Sequence, residues 1–366
     1  SRERWETCRM RSAQLAGHVG LRRRKTRTMT PSHCSYEGCT RPIHDAVEGK
    51  CIFHAKGKDP KGFRKALAQQ IRQWRKEKAT KWDFSGWVFV DVERKTGNID
   101  AALIEKKITS KTKAIIPVHL YGQICDMRKI RRIADRYKLK IVEDSAHCIE
   151  GEREGIKPGQ LGDIACFSFY ATKNITSGEG GALSCNDRRI YDWLKKARLH
   201  GMSKNAADRY TQKYEHYDME FLGYKSNMTN IQASLLIHQL DRIGQYRAKK
   251  EQISQKYNYG LRNNEEVQMP MVLSDSQHAS HVYTVWVAPQ KRDRIMHRLQ
   301  EAGIGVAVNF QPIHLMSYYK NKYGFHNGDF PQAEKIGAST ITIPLYPKLT
   351  NSEVKYVIDT INSCAK

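Results

Sequence analysis

Lys173 stands in the run CFSFYATKNITSGEGGALS, after an aromatic stretch and before a turn through Gly178, Gly180 and Gly181. A lysine in a loop is commonly a solvated charge. In a partly desolvated crevice it loses proton affinity, and its free amine can then condense with a carbonyl to give an imine. Asp144 closes the apolar run of IVEDSAH, with His147 three residues on. A carboxylate at that end of a buried strand can bind a metal, hold a ribose or pair with a protonated ring nitrogen; it can equally cap a following helix. Ser168 and the amides of the glycine turn are donors of the kind that receive phosphate oxygens. In LGYKSNMTNIQ, Gly223 and Asn227 precede a helix start, whose free N–H groups make either an anion site or a plain turn into the helix.

A separate set of ligating types lies upstream. Cys34 and Cys39 form one short-spaced pair, Cys51 and His54 a second, in a C-x4-C-x11-C-x2-H pattern. Thiolate and imidazole are preferred zinc ligands, and two such pairs can converge as two turns on one tetrahedral ion. The competing reading is of small core cysteines without metal. Zinc is favoured, because so short and polar a segment has little else to bury.

These groups need elements to position them. The text from Val88 reads as strand, turn and helix, then a buried strand from Ala114 to Leu120. Met127 to Tyr137 reads as a helix, Lys140 to Glu143 as a short strand and Asp163 to Phe169 as another. Alternation at these spacings predicts parallel βαβ units and an α/β sheet. A capping box of Thr229 and Gln232 opens a helix whose apolar face is Ile231, Leu235, Leu236, Ile237 and Leu240. Beyond Lys250, HVYTVWVAP, VAVNF and TITIPLYP read as strands, and RDRIMHRLQEAG and TNSEVKYVIDTINS as helices, the last capped by Thr350 with Glu353. That order fits a smaller α+β domain. The expected organisation is a basic leader at 1–28, unstructured or non-native, then a Cys/His module with an amphipathic basic helix at 29–87, a large α/β domain at 88–249 and a small domain at 250–366.

A strand-end carboxylate, a lysine 29 residues later and phosphate-compatible donors together match the needs of pyridoxal phosphate. Its aldehyde requires an amine, its ring nitrogen an acidic partner and its phosphate hydrogen-bond donors. The same residues carry a family resemblance. IIPVHLYGQ, VEDSAH, GDIACFSFYATKNITSGEGG, RLHG and LGYKSNMTNIQASL resemble, in order and spacing, the DegT/StrS-type sugar aminotransferases, above all those acting on UDP-linked 4-keto sugars. The resemblance covers about Val88 to Ser363. It implies an aspartate-aminotransferase-like fold of type I and transfer of an amino group, usually from glutamate, to a nucleotide-linked keto sugar for surface polysaccharide or deoxysugar synthesis. Carried over, Lys173 would hold the cofactor and shuttle a proton, Asp144 would pair with the ring nitrogen, His147 would lie against the ring and Ser168 would hold phosphate. Asn227 would reach the cofactor of a second copy, implying a homodimer, and His314 of NFQPIHL would sit near the sugar or serve in packing. Relatives also carry an N-terminal helix, a Ser-Gly-Thr phosphate turn and an aromatic that stacks on the ring. None of these is found in residues 1–87, so the large domain is expected to be truncated and its activity impaired. Residues 32–89 resemble instead the cysteine-rich leader of some pentapeptide-repeat proteins.

Composition sets the remaining bounds. Of 366 residues, 62 are Lys or Arg and 38 Asp or Glu, a formal charge of +24. Residues 1–90 hold 21 basic and 8 acidic residues, so a quarter of the chain carries over half of the excess. With 40% hydrophobic residues, wholesale disorder is excluded. No window reads as a membrane span or secretory signal, and nine irregularly spaced cysteines fit reduced thiols of a cytoplasmic protein. Nucleic acid is not the expected partner. The alternative from another class is a zinc-stapled basic module, binding a polyanion, fused to an inactive aminotransferase remnant.

Overall fold

Apolar runs bounded by caps and turns generate the elements that carry the site. The computed structural model describes residues 88–203 and 216–365, all within one unit running Ser85–Lys366. Asp100 starts helix α1 (Ala101–Ile104) by accepting the Ala102 N–H. Strand β1 (Ala114–Ile115), helix α2 (Met127–Arg136) and strand β2 (Lys140–Asp144) form a βαβ unit whose strands pair in parallel, Ala114 opposite Lys140. Asp126 caps α2 through the Lys129 N–H, and Ile130, Ile133 and Ala134 turn its apolar side inward. Short strand β3 (Glu152–Arg153) leaves this sheet. Strand β4 (Ile164–Ser168) pairs in parallel with β2, and β5 (Gly181–Cys185) antiparallel with β4, giving the order β1-β2-β4-β5. The α/β reading is therefore met by a mixed sheet whose fourth strand is reversed. The connection between them, residues 169–180, turns through glycines and forms no helix, so the chain returns as an antiparallel neighbour.

After helix α3 (Arg188–Ala197) comes α4 (Asn230–Leu261), 32 residues opened by the Thr229–Gln232 capping box. Strand β6 (Ser276–Gln277) pairs with β3. Strand β7 (Tyr283–Trp286), helix α5 (Pro289–Glu301), the short α6 (Ser317–Tyr323), α7 (Pro331–Ser339), strand β8 (Thr340–Ile343) and α8 (Asn351–Cys364) complete the chain, with β7 and β8 antiparallel. Three cores result. Ile104, Ile124, Ile130, Leu139 and Ile141 lie beside the sheet. Phe169, Ile175 and Leu236 form a small cluster behind the lysine loop. Tyr257, Leu261, Val285, Ile295, Leu299, Ile341 and Ile361 form the third. Helix α4 feeds both of the last two, so no break in the backbone marks residue 250.

Several expectations are corrected. The strand expected over 114–120 stops at Ile115, because Pro117 has no N–H to donate; only a bridge of Val118 to Asp144 continues the pairing. VAVNF makes a single bridge, Ala307 to Thr342, rather than a strand. Of the apolar face expected on α4, Leu236 is buried while Ile231, Leu235, Ile237 and Leu240 are exposed. The Cys/His module lies outside the described residues, as do Cys34, Cys39, Cys51 and His54. Among the described residues, no group of three His, Cys, Asp or Glu is placed to hold a metal ion. No described helix is long and apolar enough to cross a membrane.

Ile141 is fully buried in β2. Ile141→Ala should cost about 2–5 kcal/mol of unfolding free energy through lost transfer energy and a residual cavity, read as a lower denaturant midpoint at unchanged slope.

Candidate active site

Asp144 ends β2, and the backbone at this point is tightly specified. Its N–H donates to Pro117 O at 2.9 Å, and its carbonyl accepts from His119 N at 3.1 Å. Behind it, Glu143 and His119 form a fully enclosed pair at 2.9 Å. Glu143 also accepts the Gly159 and Gly162 N–H groups at 2.9 and 2.6 Å. His119 Nδ1 accepts the Cys125 N–H at 3.3 Å, so its Nε2 carries the proton given to Glu143. Every polar atom of that pair is matched, which is what a buried ionisable pair requires. The Asp144 carboxylate accepts from the Ala146 N–H at 3.1 Å, making an Asx turn; no helix follows, so the helix-cap reading falls away.

Lys173 lies in a turn just beyond β4, its N–H bonded to Tyr170 O at 3.0 Å. Burial lowers its affinity for a proton, and the Asp144 carboxylate opposes that shift. The amine and the carboxylate therefore feel one another at the carboxyl edge of parallel strands, where open α/β sheets bind ligands. His147 belongs to the same group. Burial first, then the Lys173 charge, push its pKa down to about 4, against the pull of Asp144. Its ring is stacked on His281 at 4.3 Å and 24° and on Phe310 at 5.6 Å and 11°. Its Nδ1 is buried without a hydrogen-bond partner in the protein.

The remaining expected residues are distributed differently. Ser168 ends β4 beside this group, and its Oγ accepts from the Tyr170 N–H at 3.3 Å. The glycine turn is not an open nest: the N–H of Ser177 goes to Phe169 O and that of Gly178 to Thr176 Oγ1. Gly180 has φ +152°, and a Cβ there would strike Met228 and Ser177, so the turn serves close packing. Asn227 is exposed before α4. The capping box occupies the Gln232 N–H at that helix start, and Gly223 is committed to backbone contact with His200. His314 is buried, bonded to Glu334 at 2.9 Å, and packed edge-on against Phe330 in an aromatic cluster with Phe325 and Phe89. From NFQPIHL it is Phe310 that reaches the His147 ring. Tyr121 OH secures that loop by bonding Asn309 O at 2.5 Å.

Sequence reasoning missed Phe310, His281, Asn174 and Glu150. Asn174 neighbours Lys173 and Glu150 lies three residues beyond His147, so proximity was the available signal; nothing in HVYTVWVAP marked His281 beyond strand periodicity. A separate cavity of about 320 Å³, bordered by Arg94, Glu266, Trp286 and Lys335, contains none of these residues.

The fold is that of the α/β aminotransferases. A solved structure of a putative sugar aminotransferase from Streptococcus pneumoniae, in its PMP form, matches with a TM-score of 0.71 at 31% identity, covering 76% of this chain and 75% of that one. DesV of S. venezuelae, solved with a ketimine intermediate, matches with a TM-score of 0.69 at 30% identity, covering 76% and 72%. The chain belongs to the DegT/DnrJ/EryC1/StrS aminotransferase family, whose model matches residues 85–362. Among its relatives, the spore coat polysaccharide biosynthesis protein SpsC of Bacillus subtilis is 37% identical, over 76% of this chain and 73% of that protein. GDP-perosamine synthase of Caulobacter vibrioides is 36% identical, over 74% and 71%. The family is one of sugar aminotransferases dependent on pyridoxal phosphate, as its resemblance implied.

The residues present fit that cofactor at its ring end: an amine of lowered basicity, a strand-end carboxylate and a flat imidazole with an unpartnered buried nitrogen. The phosphate end is served by fewer groups, since the Ser177 and Gly178 amides are occupied.

His147 and His278 are each held to a pKa of about 4, and His281 to about 2, chiefly by burial. The unfolded chain binds protons at these sites from about pH 6.5 downward, while the folded chain does not. Stability should thus fall as pH drops from 6.5 toward 4, by about 1.4 kcal/mol per pH unit for each histidine. His147→Gln should flatten that slope by one proton's worth in denaturant titrations at stepped pH.

Proposed function

We propose that this chain transfers an amino group from glutamate to a keto sugar linked to a nucleotide, in making a surface polysaccharide or a deoxysugar. The observation that carries this reading is the shared electrostatic neighbourhood of Lys173, Asp144 and His147 at the end of β2 and β4. Membership of the sugar aminotransferases supports it, as do relatives named for spore coat polysaccharide and for a GDP-linked sugar.

Pyridoxal phosphate, when bound, supplies an aldehyde for an amine and a ring that withdraws electrons from the carbon being aminated. The chain's own residues do the rest. Lys173 Nζ, whose proton affinity burial lowers, would be the amine that engages that aldehyde and the group that would move a proton between the reacting carbons. Asp144 would keep a proton, and so a positive charge, on the ring nitrogen. His147, held neutral by burial, would be the imidazole nearest the ring. Ser168 would hold the phosphate, and Asn227, exposed ahead of α4, would serve the phosphate in a second copy of a homodimer. His314 belongs to the sugar side, its ring orientation kept by Glu334.

In this reading residues 88–249 form the cofactor-binding body and 250–366 a smaller α+β body with its own core. Residues 1–28 and 29–87 precede both. Free cysteines among the described residues suit a reducing, cytoplasmic setting. A zinc-stapled module with an inactive remnant is not favoured, because the remnant would have no reason to keep its amine beside its carboxylate.

Full-length protein incubated with pyridoxal phosphate should turn yellow, and borohydride reduction should fix the cofactor on Lys173, as read by peptide mass. Lys173→Ala should lose both the fixation and amino transfer from glutamate. A colourless wild-type protein would overturn the proposal.

A further inference from the structure

A buried polar chain leads from helix α4 to the His147 ring. Lys250, only 4% exposed, donates to Ala279 O at 3.4 Å. Asn174 Nδ2 donates to the same carbonyl at 2.9 Å and lies 2.8 and 2.7 Å from the two Glu150 oxygens. Gln277 Nε2 holds the Glu150 backbone carbonyl at 2.8 Å. Lys250 and Glu150 feel each other's charge: burial lowers the Lys250 pKa to about 8 and raises that of Glu150, and each group opposes the shift of the other.

That arrangement leaves the Asn174 amide one orientation. Ala279 O can only accept, so Nδ2 must face it and Oδ1 must face away. His281 Nδ1 lies 3.2 Å from Asn174 Oδ1. An amide oxygen cannot donate, so the proton sits on His281 Nδ1, and the neutral ring presents a bare Nε2. Burial, together with the nearby charges of Lys173 and Lys250, keeps His281 neutral. This fixed ring is the one stacked on His147 at 4.3 Å. With His147 Nδ1 unpartnered, no hydrogen bond at that atom sets the plane of the imidazole; the rings packed on it do.

We propose that His281 is a positioning residue, locked in tautomer and place by Asn174, Glu150 and Lys250, and that its ring fixes the plane of His147 beside Lys173. This rests on the reading of Lys173, Asp144 and His147 as the cofactor site. It extends that reading to a layer of groups that touch neither cofactor nor sugar. A buried polar network is a poor device for stability alone, since apolar residues of like volume serve as well. Its use here is orientation, delivered through one amide to one ring.

The test uses the full chain with isotope-labelled histidine and nitrogen magnetic resonance. Wild-type His281 should show a protonated Nδ1 and a bare Nε2, and Asn174→Leu should abolish that single tautomer. His281→Ala should shift the His147 signals and weaken pyridoxal phosphate binding, measured by absorbance titration, by about tenfold. His281→Phe keeps a stacking ring without the hydrogen bond and should recover binding to within about threefold of wild type. Thermal melting reports whether each variant folds. Should His281→Ala not fold, the wild-type tautomer and His281→Phe decide between them. A proton on Nε2 of wild-type His281, or His147 signals unmoved in a folded His281→Ala, overturns the proposal. If wild type takes up no cofactor while the histidine signals behave as expected, the cofactor reading fails and the positioning role stands.

Discussion

The structure turns on one opposition of forces at Lys173. Withdrawal from water favours the neutral amine, and the Asp144 carboxylate favours the charged one. Neither force acts without the sheet. Parallel pairing of β2 with β4 places residue 144 opposite residue 166, so that the lysine turn begins where the carboxylate ends. A slip of one residue would send the Asp144 side chain to the other face of the sheet. The enclosed His119–Glu143 pair guards against such a slip, because Glu143 is tied to the Gly159 and Gly162 amides and His119 to the Cys125 amide. A fully hydrogen-bonded polar pair thereby fixes the register of the strand bearing the chemistry.

Around this point the polar groups are arranged in depth. His147 stands with the amine and carboxylate, His281 backs His147, and Asn174, Glu150 and Lys250 back His281. Each step exchanges a demand for orientation at the site for a demand further from it, until helix α4 meets it with a backbone that is already rigid. Electrostatic preorganisation of this kind lets a site act on charge as it develops without rearranging its own dipoles.

Much of this was legible in the residues. IVEDSAH and DIACFSF give apolar runs of strand length ending in polar residues, and the capping boxes at Thr229 and Thr350 mark their helices unambiguously. Lys173, Asp144, His147 and Ser168 stand out in the sequence because their types are those that imine and phosphate chemistry needs. What failed did so for local reasons. Pro117 cut short a strand that periodicity extended, and VAVNF lost its ladder beyond Ala307. The glycine turn looked like a phosphate nest, yet its amides bond to Phe169 and Thr176. Helix α3 carried a cap at Asp187 that was there to be read. His281 could not be found from sequence, since its role comes from a stacking contact across more than a hundred residues of chain.

Helix α4 has a mechanical consequence. At 32 residues without interruption it is a shaft of about 48 Å. Gln239 grips Thr176 of the lysine loop at both N–H and carbonyl, Lys250 anchors the shaft about two-thirds of the way along, and Tyr257 and Leu261 seat its far end in the third core. A rod held at three stations transmits torque rather than absorbing it. The turn that bears the reactive amine and the C-terminal core thus share one continuous support.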